Sequence, residues 1–247
     1  MQEKIVINEK QLHGSASSWN KLQEYLGEFV YGGIDGSVTT FAVVAGSAGA
    51  DLSAAVVIIL GFANLIADGF SMSVGAYLAT KSERDNYEKH KSIEYWEVEN
   101  LREREVEEVR QIYRDKGFEG ELLEKVVAKI TEDKDRWVDV MMKEELEMSK
   151  ESRSPFRIGL VTFISFILIG FIPLFIYVVN YIRGIEIEHT FALSSLLTSM
   201  AFVGIGWMKS YVTQTRRWRS IIETLLLGAS AALLAYLVGD VLEKLIS

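Results

Sequence analysis

Two sets of side chains in this sequence have the types and spacings that bind divalent metal ions. The first begins with Glu94-x-x-Glu97 and Glu105-x-x-Glu108, and continues in Met141-Met142-Lys143-Glu144-Glu145. On a helix, residues three or four apart share a face. Each Glu pair therefore presents two carboxylates together, and Met141, Met142 and Glu145 present two thioethers with a fifth carboxylate. Carboxylates suit hard and borderline cations, and a thioether shifts preference toward Fe(II) and its neighbours over Ca(II) and Mg(II). On one straight helix the two Glu pairs stand about 16 Å apart. They serve one site only if the helix breaks near Asn100 or a partner helix bridges them. The competing reading is plain: acidic pairs on charged helices are usually solvated, and adjacent methionines usually fill cores.

The second set lies in apolar sequence. Asp35 and Thr39 form one i, i+4 stripe, and Asn64, Asp68 and Met72 form another at i, i+4, i+8. A carboxylate within a membrane span needs water, a partner or an ion. These residues supply carboxylate, hydroxyl, amide and thioether donors in ladder form. Such a carboxylate can also trade a proton for a cation, because burial raises its pKa and a cation lowers it. The structural alternatives are that Asp35 caps a broken helix beside its glycines and that Asp68 bonds a neighbouring span. Glu223 and Asp240 lie at the ends of the last span and receive no assigned role.

The elements that must carry these residues are apolar helices. Five stretches reach the roughly 20 residues needed to cross a bilayer: 29–50, 54–80, 156–182, 190–208 and 221–242. Between the second and third, residues 81–155 are rich in Glu, Lys and Arg. Of the 60 charged residues, 39 lie between Lys81 and Arg157, so this insert is a polar lobe. Nothing between Leu78 and Lys91 breaks a helix, so the second span is expected to run on into it. Asp115-Lys116-Gly117 signals a turn, followed by one long helix over 121–151. Ile93, Trp96, Val106, Val109 and Tyr113, with Leu122, Val126, Ile130, Trp137, Met141 and Leu146, are the expected apolar faces. Gly32-x-x-x-Gly36, continued by Ala42 and Gly46, marks a close-packing seam on the first span and suits contact with a second copy.

Of 26 Lys and Arg, 24 fall in 1–28, 81–157 and 209–219. The positive-inside rule then puts the N-terminus and the insert in the cytoplasm and the C-terminus outside. The domain reading is a cytoplasmic segment 1–28, spans one and two over 29–80, a cytoplasmic helical metal-binding lobe over 81–155, and spans three to five over 156–247. The expected fold class is an all-α polytopic membrane protein. With no Cys and three His, thiolate chemistry and His-rich metal sites are excluded. The net charge of -8 argues against a nucleic-acid partner.

The runs Asp35-Gly-Ser-Val-Thr-Thr-Phe-Ala-Val-Val-Ala-Gly46 and Asn64-Leu-Ile-Ala-Asp68-Gly-Phe-Ser-Met72, with the Glu and Met pattern of the insert, resemble the vacuolar iron transporter family over about 24–242. The resemblance implies a five-span homodimer in a lipid bilayer, in a prokaryotic plasma membrane or a vacuole. It implies export of Fe(II), and often Mn(II), from the cytosol in exchange for protons, through a pore between paired first spans. Asp35 and Met72 match that family's pore acid and pore methionine. Glu94, Glu97, Glu105, Glu108, Met141, Met142 and Glu145 match the ligands of its cytoplasmic domain. Metal is then substrate, with no permanently bound cofactor, and the protein is not an enzyme. The same donors serve Mn(II), Co(II) and Zn(II). Two other classes compete. A membrane-anchored ferroxidase would use the Glu pairs, although the insert's one His, His90, has no Glu three residues before it. A metal sensor without flux would leave Asp35, Asp68 and Met72 unexplained.

Overall fold

The computed structural model describes residues 24–184 and 189–246. The expected segment 1–28 therefore lies largely outside the described residues, as does most of the 183–189 loop. Within them the chain forms nine α-helices and no strand. They are α1 Leu26–Gly49, α2 Ala54–Asn100, α3 Arg102–Asp115, α4 Gly120–Thr131, α5 Lys134–Glu144, α6 Pro155–Gly170, α7 Ile172–Arg183, α8 Thr190–Thr213 and α9 Arg217–Ile246. The chain divides into two compact units, one of residues up to Tyr77 with Pro155 onward, the other Leu78–Ser154.

In the first unit, α1, α2, α8 and α9 are each long and apolar enough to cross a membrane. The fifth candidate is the pair α6 and α7, bent by 53° at Gly170–Phe171. The sequence reads 156–182 as one continuous span, and Pro173 explains the difference. It has no N–H to offer the carbonyl one turn back, and its ring crowds that carbonyl. It is instead accommodated in the first turn of α7. The protein is thus a polytopic helical membrane protein.

Helix α1 is the central element of this unit. Its small residues do not wait for a second copy. A Cβ on Gly36 would stand 2.5 Å from the Phe166 carbonyl oxygen of α6, and one on Gly32 would stand 2.9 Å from that of Thr162. The Gly32/Gly36 seam, read from sequence as suited to a second copy, is filled by α6 of the same chain. Further along, Gly46 packs on the Ala235 carbonyl of α9. Val38, Phe41 and Ala45 complete the packing against Phe202 and Ala232. Two α1 hydroxyls return to their own helix: Ser37 donates to the Gly33 carbonyl at 2.8 Å and Thr39 to that of Asp35 at 2.9 Å. Such back-bonding satisfies a hydroxyl where no water is available.

The second unit contains the end of α2 and helices α3 to α5. As expected, α2 continues without interruption past Thr80; its 47 residues make it about 70 Å long. It stops at Asn100, whose amide donates to the Trp96 carbonyl at 2.8 Å. Leu101 leaves helical geometry at φ -122°, ψ 33°. The expected turn is present, with Gly117 at φ 90°, a left-handed value that favours glycine. The expected long helix over 121–151 is not. It breaks at Glu132–Asp133 and ends at Glu144. The Asp133 side chain accepts the Arg136 N–H at 2.8 Å, so a capping carboxylate starts a new helix where composition alone read continuity.

The core of this unit gathers Tyr87, Val98, Val109, Leu123, Val127, Ile130, Trp137, Val138, Met141 and Met142. Three expected core residues are elsewhere. Ile93, Trp96 and Leu122 are 40%, 57% and 58% exposed. On α2 the inward face runs through Tyr87, Glu94 and Val98 instead, so a carboxylate occupies the register position that hydrophobicity would assign to Ile93. On α4, Leu123 replaces Leu122 one residue along.

Candidate metal centre

Glu94 and Glu97 lie one turn apart near the end of α2, and Glu105 and Glu108 one turn apart near the start of α3. Glu145 caps the C-terminus of α5. The break at Leu101 removes the 16 Å separation that a straight helix would impose. One oxygen from each of Glu94, Glu97 and Glu105 lie within 4.8 Å of one another, and so do one each from Glu105, Glu108 and Glu145. Glu105 belongs to both groups. Two oxygens across a divalent ion stand apart by about twice a bond of roughly 2.0–2.6 Å, which is comparable with this spacing.

Burial makes the arrangement costly without a cation. Glu94 is 3% and Glu105 1% exposed. The Oε2 atom of each is buried with no hydrogen-bond partner among the described residues. Burial, reinforced by the charges of Glu145, Glu97, Glu105 and Glu108, pushes the Glu94 carboxyl up to about 7. Burial, then Glu108, Glu97 and Glu145, does the same to Glu105, also to about 7. Glu145 is raised by burial and then by Glu108 and Glu97. Each shift says that the folded protein resists a second negative charge there. A divalent cation reverses that resistance.

Sequence reasoning missed one member of this cluster. Arg104 donates from Nε to Glu108 Oε1 at 2.9 Å and opposes the raised values of Glu105 and Glu145. Its i, i+4 spacing to Glu108 was the available signal. One exposed guanidinium cannot balance five carboxylates once all are ionised. Met141 and Met142 are fully buried in the core around Trp137 and Val138. Their carbonyls close the end of α5, Met141 accepting from Glu145 at 3.0 Å and Met142 from Met148 at 2.8 Å. They thus stand on the helical turn that presents Glu145.

The membrane residues form a different arrangement. Asp35 and Thr39 are half-buried on α1, and Asn64, Asp68 and Met72 are half-buried on α2. Helix α1 is continuous through Asp35, which removes the reading of Asp35 as the cap of a broken helix. The Asp68 carboxylate is near enough for its charge to act on Asp35. Asn64 Nδ2 is buried without a hydrogen-bond partner among the described residues. Met72 packs beside the apolar cluster of Val57, Leu65 and Phe166. Among the described residues no three carboxylates or imidazoles of this unit gather into a group. Glu223 is held by Lys209 at 3.1 Å and Arg219 at 2.9 Å, and Asp240 by Lys244 at 2.7 Å.

The family model described as the VIT family matches residues 26–240. The chain belongs to the VIT family. Similar proteins extend over most of its length. A vacuolar iron transporter of Toxoplasma gondii is 35% identical over 233 residues, covering 92% of this chain and 77% of the relative. Vacuolar iron transporter 1 of Arabidopsis thaliana is 31% identical over 224 residues, covering 89% and 87%. Vacuolar iron transporter 1 of Eucalyptus grandis is 30% identical over 236 residues, covering 95% and 91%. The VIT family match takes in both the carboxylate cluster and the membrane stripes.

Proposed function

We propose that this chain transports Fe(II) out of the cytosol, with Mn(II) as a second substrate, in exchange for protons. The observation that carries the proposal is the carboxylate cluster: five Glu side chains from three helices, two with buried oxygens that lack a partner among the described residues. In this reading Glu94, Glu97, Glu105, Glu108 and Glu145, with Met141 and Met142, capture the ion on the cytoplasmic side. Asp35, Thr39, Asn64, Asp68 and Met72 line its way across the membrane. Metal is cargo throughout. Carboxylate and thioether donors bind Fe(II) without the thiolates that would hold it too tightly to release. The positive-inside count supports an N-terminus and residues 81–155 in the cytoplasm, with the C-terminus outside.

The pore is assigned to a homodimer, between paired first spans. What supports this is that Asp35 and Thr39 are only half-buried on the most buried span of the protomer. A carboxylate at that depth needs a partner, water or an ion. The relatives' names, vacuolar iron transporter, point to an organellar membrane in those organisms.

The test is a flux assay in sealed proteoliposomes, with Fe(II), Mn(II), Co(II) and Zn(II) in competition and a pH dye inside. Fe(II) uptake accompanied by proton movement in the opposite direction is expected. Uptake that ignores an imposed pH gradient removes the exchange. Absence of flux with intact metal binding favours a sensor. Iron-dependent oxygen consumption by the purified chain favours a ferroxidase.

A further inference from the structure

The turn between α8 and α9 is basic and aromatic in a way the transport reading does not use. Residues 209–223 contain Lys209, Arg216, Arg217 and Arg219 against one acid, Glu223. The structure divides these cations into two classes. Lys209 and Arg219 both bond Glu223; the first pair joins the end of α8 to the start of α9, and the second lies within α9. Arg216 and Arg217 have no carboxylate partner among the described residues.

Arg217 instead meets the Tyr211 ring. Its guanidinium lies 5.6 Å from the centre of the Tyr211 ring, and its Nη2 donates to the Tyr211 hydroxyl at 3.4 Å. Tyr211 in turn meets Trp207 edge to face at 5.0 Å. These two rings are 46% and 45% exposed, and Trp218 on the turn is 79% exposed. This contact holds the Arg217 guanidinium, and Arg217 is exposed, which leaves its other N–H groups open to a ligand. Those groups form a planar fork that matches phosphate. Amphipathic rings with cations at the end of two membrane-crossing helices belong at headgroup depth. Hydroxyl bonding among Thr213, Thr215 and Ser220, at 2.8 and 2.6 Å, ties the turn that carries them.

We propose that Arg216 and Arg217, with Tyr211, Trp207 and Trp218, form a binding site for the phosphate headgroup of an anionic phospholipid. The site is independent of metal capture and of the direction of transport. Each cation near an anionic lipid surface raises affinity about fivefold. The two together supply about 25-fold preference over a zwitterionic lipid.

The experiment uses the full chain purified in a neutral detergent. Retention of phosphatidylglycerol and phosphatidylcholine is measured by native mass spectrometry, with and without millimolar inorganic phosphate. Wild type is expected to retain phosphatidylglycerol in preference. The double variant Arg216→Gln/Arg217→Gln is expected to lose about 25-fold in that affinity while retaining phosphatidylcholine as wild type does. Arg216→Lys/Arg217→Lys keeps the charge but not the planar fork, and is expected to fall between wild type and the glutamine pair. Equal retention of the two lipids by wild type, or unchanged phosphatidylglycerol binding by the glutamine pair, overturns the proposal. Displacement of phosphatidylglycerol by inorganic phosphate alone would assign the site to the free anion and overturn the lipid.

Discussion

The acids of the 78–154 unit and those of the membrane unit are arranged in opposite ways. Near Leu101, carboxylates of α2, α3 and α5 converge until triplets of oxygens lie within 4.8 Å. Along α1 and α2 in the membrane unit, single donors are spaced a helical turn apart and no such triplet forms among the described residues. A converged cluster lowers the energy of one bound ion. A ladder of single donors offers successive, weaker positions. The first arrangement suits capture and the second suits passage, because an ion that is to leave must not be held by every ligand at once.

The largest expected effect separates the two. Asp35→Ala is expected to reduce flux in proteoliposomes to that of empty vesicles, while calorimetry on the same protein finds metal affinity unchanged. Equal loss of binding and flux would erase the distinction between the regions. Next, Glu105→Ala with Glu108→Ala removes the residue shared by both carboxylate triplets and its neighbour. Affinity of the full chain is expected to fall by more than the roughly 10–100-fold that follows loss of an outer-shell partner. Flux at saturating metal should change less than flux at low metal.

A third expectation concerns protons. Glu94 and Glu105 titrate at about 7 in the folded protein, against an ordinary value of 4.5. Between those values the metal-free folded form holds more protons than the unfolded form, so its stability falls as pH rises. The metal-free protein should therefore unfold at a lower temperature at pH 8 than at pH 6. Bound metal should reverse that order, since protons compete with it below about 7. A metal-free melting curve independent of pH would remove the buried charges from the argument. The smallest effect is expected from Asp133→Ala, which removes the α5 cap at a cost of about 1 kcal/mol. It should lower the unfolding temperature slightly and weaken metal binding only through the position of Glu145. Membrane flux through the Asp35 stripe should be untouched at saturating metal.

Much of this organisation was legible in the residues. The run of α2 through Thr80 follows from an unbroken helical composition, and the turn at Gly117 from a residue that tolerates positive φ. Other features were legible only as alternatives. The two Glu pairs implied one site only if the chain broke near Asn100, and periodicity could not decide whether it did. Ile93 and Glu94 are adjacent, so a rule that buries apolar residues chose the wrong one. The Gly32/Gly36 seam announced close packing without naming the surface that fills it.

The sequence by itself determined the helical class, the membrane-crossing segments and the donor chemistry, because these depend on composition and on periods of a few residues. The absence of Cys and the scarcity of His leave oxygen and thioether donors, with carboxylates foremost. Only the tertiary structure decided which donors meet. Glu145 joins Glu105 across 40 positions of sequence, after the breaks at Leu101 and Asp133 have redirected three helices. A contact of that range is set by how elements pack, and no local pattern carries it.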